Sequence, residues 1–163
     1  MHNTQKILMN ALMKKYFKNN TNKTVYDIGS YDVNGNHKND VTNLKFNYIG
    51  VDVLQGPNVD LVVDSNFNYS KLYNQCDYII SGSYLEHVEA PWLFALEIYK
   101  SLKPNGICII ILPFKIKEHR YPLDCYRILP DGLKYLFTKH VPLNLLQCGW
   151  GDTKFDTFIV CQK

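Results

Sequence analysis

The segment VYDIGSYDVNG (residues 25–35), followed by YIGVDV (48–53), constrains this chain more than any other feature. An apolar strand runs into an acidic residue and glycine. A second apolar strand then ends on a carboxylate, Asp52, 25 positions after Asp27. That order builds a nucleotide pocket at the carboxyl edge of a parallel sheet. Backbone N–H groups of the first turn face an anionic group, and the second acid accepts hydrogen bonds from ribose hydroxyls. A cofactor carrying an adenosine is expected.

The remaining residues read as one α/β domain spanning 1–163. Apolar residues at Ile7, Leu8, Ala11, Leu12 and Tyr16 fall at helical spacing, which predicts an amphipathic helix over 4–18 that covers one face of a sheet. Strands are predicted at 24–28, 48–53, 60–63, 77–81, 107–112, 143–147 and 155–161. The first five are dense in Val and Ile with little polar alternation, as strands covered on both faces are. Pro91 opens a helix over 91–102 that Pro104 and Gly106 stop, and Pro130 precedes another over 131–139. The polar stretch 32–47 predicts that the helix after the first strand is short or missing. The last two strands are joined by 148–154, too short for a parallel crossover, so they are expected to be antiparallel.

A net charge of +3 does not argue for a nucleic-acid partner. The five cysteines are odd in number, form no C-x-x-C and sit mostly in apolar runs. They read as buried free thiols in a reducing compartment, and no metal site is assigned. No apolar run approaches the ~18 residues of a membrane span, and the expected location is cytoplasmic.

In order, VYDIGS, YIGVDV, VDLVVD, CDYIISGSYLEHV, SLKPNG with ICIIILPF, and the terminal hairpin resemble the class I, Rossmann-like S-adenosylmethionine-dependent methyltransferases. The resemblance covers nearly the whole chain from Val25 onward. GSYDVNG with HRYPLDCYR is similar to a subgroup of small members, several of them associated with glycan or cell-surface polysaccharide assembly. The resemblance implies a three-layer sandwich around a seven-stranded, mostly parallel sheet that ends in an antiparallel hairpin. The first motif of the class carries glycines at alternate positions, whereas here Ser30, Tyr31 and Asp32 follow Gly29.

Carried over residue by residue, the resemblance implies that Asp27, Gly29 and Ser30 line the turn under the methionine part of S-adenosylmethionine, with Asn34 in the following loop. It implies that Asp52 binds the ribose, Val53 or Leu54 covers one face of the adenine, and Asp64 with Ser65 meets the adenine amino group. Ser81 and Gly82 would end the fourth strand beside the reactive methyl. Methylation of an alcohol also needs a proton acceptor. His119 in the loop after the fifth strand is the first candidate, with Asp124 and His87 beside it. Glu86 and His87 serve equally well as a structural pair, and Asp124 with Arg127 as a loop tether. Tyr84, Arg120, Tyr126 and Arg127 suit a small-molecule or glycan acceptor. The expected reaction is O-methylation of a hydroxylated acceptor such as a sugar, at an open groove or one that a second subunit completes in a homodimer. Two other classes stay open: a nicotinamide-dependent oxidoreductase, disfavoured by the absent G-x-G-x-x-G, and a binding protein without turnover.

Overall fold

The computed structural model describes residues 2–18, 22–64 and 68–163. Ser65 and the asparagine linker at 19–20 lie outside them. Among the described residues, β1 (Thr24–Ile28), β2 (Asn47–Asp52), β3 (Leu61–Val62), β4 (Cys76–Gly82), β5 (Leu102–Pro113), β6 (Asn144–Trp150) and β7 (Asp156–Gln162) form one sheet. Its order is β3-β2-β1-β4-β5-β7-β6. The pairs among β1 to β5 are parallel, whereas β7 pairs antiparallel with both β5 and β6. Inserting the last strand between β5 and β6 separates this topology from a dehydrogenase sheet that stays parallel to its sixth strand.

Alternation along β5 shows how both faces are used. Ile107, Ile109 and Ile111 join one core, while Cys108, Ile110 and Leu112 join the other. The helix α1 (Asn3–Tyr16) covers the first face and α3 (Pro91–Ser101) the second, the latter through Phe94, Ala95 and Ile98. Three layers result. The short helix α2 (Lys38–Asn43) follows β1, and α4 (Pro130–Lys134) continues as a π-helical turn to Lys139. No helix among the described residues is long and apolar enough to cross a membrane.

Two local expectations shift. The buried face of α1 is Gln5, Met9, Leu12 and Met13, whereas Ile7 is 66% exposed. The helix carries enough apolar residues for two overlapping stripes, and docking on the sheet selects the one with both methionines. The third strand pairs only at Leu61–Val62, because Asp60 turns its carboxylate to the Gly50 amide at 2.8 Å. Cys76, Cys108 and Cys161 are buried thiols, Cys148 is half-buried, and Cys125 is exposed on the loop after β5.

Candidate active site

The strand order reverses between β1 and β4, with β2 and β3 laid down on one side and β4 and β5 on the other, and a cleft of about 760 Å³ opens at the carboxyl ends of β1, β2 and β4. Clefts at such switch points are where doubly wound folds take their ligands. Asp27, Gly29 and Ser30 reach its wall from the end of β1, Asn34 from the following loop, Asp52 and Val53 from β2, and Gly82 from β4. Ser81 is turned away, and its hydroxyl donates to the Ile28 carbonyl at 2.8 Å. Asp64 sits beyond the wall, in a bridge with Asn68.

The first turn is shaped by close packing. Gly29 takes φ +85°, and a Cβ there would overlap the Tyr84 ring. Tyr84 therefore lies directly under the turn and cannot be crowded without moving. Asp52 is 7% exposed and organises the next loop. Its Oδ2 accepts from the Tyr31 amide at 2.9 Å, and its Oδ1 from the Val53 amide at 2.7 Å and the Leu54 amide at 3.3 Å. Asp27 is buried and accepts from the Tyr48 hydroxyl at 2.8 Å. Burial pushes its carboxyl up to about 7, the Tyr48 bond draws it down, and the Asp52 charge raises it further.

The other end of the cleft is built from two distant segments. The turn Leu85–His87 after β4 and the loop 114–129 after β5 are strapped together by the Cys125 and Tyr126 amides, which donate to the Glu86 carbonyl at 2.7 and 3.1 Å. His87, His119, Arg120 and Tyr121 line the cleft here. Glu86 lies fully buried behind the two imidazoles, its carboxyl pushed up to about 8 by burial. Asp124 and Arg127 sit outside the cleft wall and hold each other through two bonds of 2.5 and 2.8 Å. That pairing, with the His119 amide donating to Asp124 at 2.7 Å, holds the Asp124 carboxyl below the usual range. Tyr126 also faces away, donating to the Glu89 carbonyl at 3.1 Å. Thus the structure brings His119, His87, Arg120 and Tyr84 to the cleft, and sets Asp124, Arg127 and Tyr126 in its supporting loop.

Buried His37, on the approach to α2, also faces the cleft, where the sequence offered no signal beyond a polar loop. Its Nε2 lies 3.1 Å from where a Gly82 Cβ would stand, and burial lowers its ring to about 4.

The profile of the methyltransferase domain family matches residues 12–110, more than half of the chain. No curated protein sequence matches it. Among solved structures, it resembles the [4+2]-cyclase SpnF at TM-score 0.72 and 13% identity, covering 96% of this chain and 80% of that one. It also resembles an S-adenosylmethionine-dependent methyltransferase from Aquifex aeolicus at TM-score 0.65 and 15% identity, covering 99% of both chains. A third is the 1,6-didemethyltoxoflavin-N1-methyltransferase of Burkholderia thailandensis, at 0.69 and 14%, covering 98% of this chain and 76% of that one. Fold and site together define a class I methyltransferase. The chain belongs to the methyltransferase domain family, with S-adenosylmethionine as cofactor. The residues present fit that group: the turn at Gly29 and Ser30 lines the cleft, and two carboxylates, Asp27 and Asp52, of the kind that would hold a cation and a diol, line it too.

Proposed function

We propose that this protein transfers a methyl group to a hydroxyl of a small hydroxylated acceptor, such as a sugar or a glycan end. The observation that carries the reading is one cleft lined by a carboxylate, Asp52, and by a histidine pair, His87 and His119. Bound S-adenosylmethionine supplies an electrophilic methyl carbon on a sulfonium. The turn from Asp27 to Ser30, with Asn34, receives the amino-acid part, Asp52 the ribose, and Val53 one adenine face. Asp64 and Ser65 are assigned to the adenine edge, and Gly82 with Ser81 to the floor beside the methyl, by resemblance to the class. Positioning and exclusion of water then lower the barrier by up to ~7–11 kcal/mol in favourable geometry. At the far end, the exposed guanidinium of Arg120, whose Nε donates to Glu118 at 2.7 Å and leaves its terminal nitrogens outward, and the ring of Tyr121 offer the donors and flat surface that sugars bind. The Glu86–His87–His119 cluster stands where the acceptor proton must be handled, with Asp124 steadying His119 from behind. In this reading Arg127 and Tyr126 hold the loop rather than the acceptor.

The test is transfer of a radiolabelled methyl from S-adenosylmethionine to sugars, nucleotide sugars, glycolipids and RNA. Label is expected in a sugar fraction and to survive mild alkali, as an ether does and an ester does not. Label confined to RNA or to an amine, or stabilisation by NAD in place of S-adenosylhomocysteine, overturns the reading.

Asp27 gives the cofactor a pH signature. Its neighbours are the Tyr48 hydroxyl and the Asp52 carboxylate. A bound cation favours ionised Asp27, so binding releases a proton and tightens as pH rises through about 7. The affinity for S-adenosylhomocysteine should rise several-fold from pH 6 to 8 and level off above. In Asp27→Asn, calorimetry should find a flatter profile and less proton release. In the free protein the sign is opposite. A raised carboxyl stabilises the fold in its protonated form, fully below about 4, and this is lost as pH climbs through about 7. The melting temperature of Asp27→Asn should therefore gain on the wild type over that interval.

A further inference from the structure

Glu86, His87 and His119 offer one ligand atom each within 4.8 Å of one another. Glu86 Oε1 stands 3.6 Å from His87 Nε2 and 3.7 Å from His119 Nε2. Two ligands bound at about 2.1 Å in a tetrahedral zinc site are separated by about 3.4 Å, so the three are nearly at coordination spacing already. The tautomers are set for it. His87 Nδ1 must donate to the Leu123 carbonyl at 2.5 Å, and His119 Nδ1 to the Lys117 carbonyl at 3.2 Å, since a carbonyl can only accept. Each ring in its neutral form then presents a bare Nε2 lone pair, the outer-shell arrangement that metal-ligating histidines share.

The second observation is independent of spacing. Glu86 is 0% exposed and neither of its carboxyl oxygens makes a hydrogen bond. Buried carboxyls are almost always satisfied, and one that is not calls for an unseen partner. Once ionised, Glu86 is an acceptor-only group beside two acceptor nitrogens, and a cation is the partner that would satisfy all three. The nearby Arg127 charge is neutralised by its two bonds to Asp124, so it does not bar a cation.

We propose that Glu86 Oε1, His87 Nε2 and His119 Nε2 bind one divalent transition-metal ion of the zinc class, with its open position toward the cleft. Two imidazoles and one carboxylate suit zinc, cobalt or manganese and not calcium, which takes six to eight oxygens. An acceptor hydroxyl at the open position would be acidified and oriented by the ion, losing its proton to solvent water as its oxygen takes the methyl and S-adenosylhomocysteine leaves. Only that role rests on the methyltransferase reading; the site itself stands on the three ligands. His119 is then a metal ligand, and the ion activates the hydroxyl that His119 would otherwise deprotonate.

The test uses the full chain stripped with a chelator and titrated with zinc chloride in a calorimeter, with cobalt(II) absorbance as a second measurement. One equivalent should bind, giving the intense visible bands of a low-coordinate cobalt site. Affinity should drop at least 100-fold in His119→Ala and in Glu86→Gln. His119→Ala secures the test should Glu86→Gln fold poorly, because its side chain is 26% exposed. S-adenosylhomocysteine binding is measured on the same samples. Zinc binding without it sinks the function proposed above and leaves the metal site standing. Nucleoside binding with no zinc equivalent, or zinc held equally by His119→Ala, overturns the metal site and leaves the methyltransferase reading intact.

Discussion

Asp52→Ala is expected to reduce the affinity for S-adenosylhomocysteine by roughly 10²–10⁴-fold. Two hydrogen bonds from ribose hydroxyls to a carboxylate are each worth about 1.5–3 kcal/mol, and losing both costs about 3–6 kcal/mol. The side chain does more than meet the ligand. Its oxygens tie the Tyr31, Val53 and Leu54 amides, so truncation also frees both loops that face the cofactor. Asp52→Asn separates these effects, since it keeps one acceptor oxygen and most of the volume. Calorimetry should place its affinity between those of the wild type and Asp52→Ala. An unchanged affinity in Asp52→Ala would move the ribose elsewhere.

Gly29→Ala should lower the melting temperature by roughly 5–15 °C and remove cofactor binding. The residue sits at φ +85°, where a side chain costs about 1–3 kcal/mol. The added methyl would also overlap the Tyr84 ring, whose hydroxyl is bonded to Tyr69, so the ring cannot simply swing aside. Overpacking of this kind adds about 1–3 kcal/mol, and each kcal/mol moves the melting point of a chain this size by about 2–4 °C. The double variant Gly29→Ala, Tyr84→Gly tells the two costs apart, since the added methyl meets the Tyr84 Cβ as well as its ring. If overlap dominates, the second substitution costs less in the Gly29→Ala background than alone, a coupling that scanning calorimetry reads directly.

Much of the fold was legible in the chain because it is written in local chemistry. The five Val- and Ile-rich runs could be buried only on two faces, and the seven-residue link 148–154 could only close a hairpin. Pro91 marks the start of α3 and the dense β5 pattern marks both cores, as the structure bears out. VYDIGS and GVDV each complete a strand and its turn within a few residues, and the structure brings Asp27, Gly29, Ser30, Asp52 and Val53 to one cleft. What failed was choice among equivalents. Two apolar stripes on α1 differ only by rotation, and the sheet surface decides between them.

By itself, then, the sequence determined the sheet, its closing hairpin and the carboxylates at its leading edge, because strand period and turn residues act between near neighbours. Only the tertiary structure decided the histidine end of the cleft. His119 follows His87 by 32 residues, and no spacing rule joins them. They meet because the Cys125 and Tyr126 amides bond back to the Glu86 carbonyl, folding the loop over the turn after β4 and enclosing a carboxyl that water no longer reaches. Backbone hydrogen bonds between distant segments carry no side-chain signature, so their consequences appear only once the chain has closed on itself.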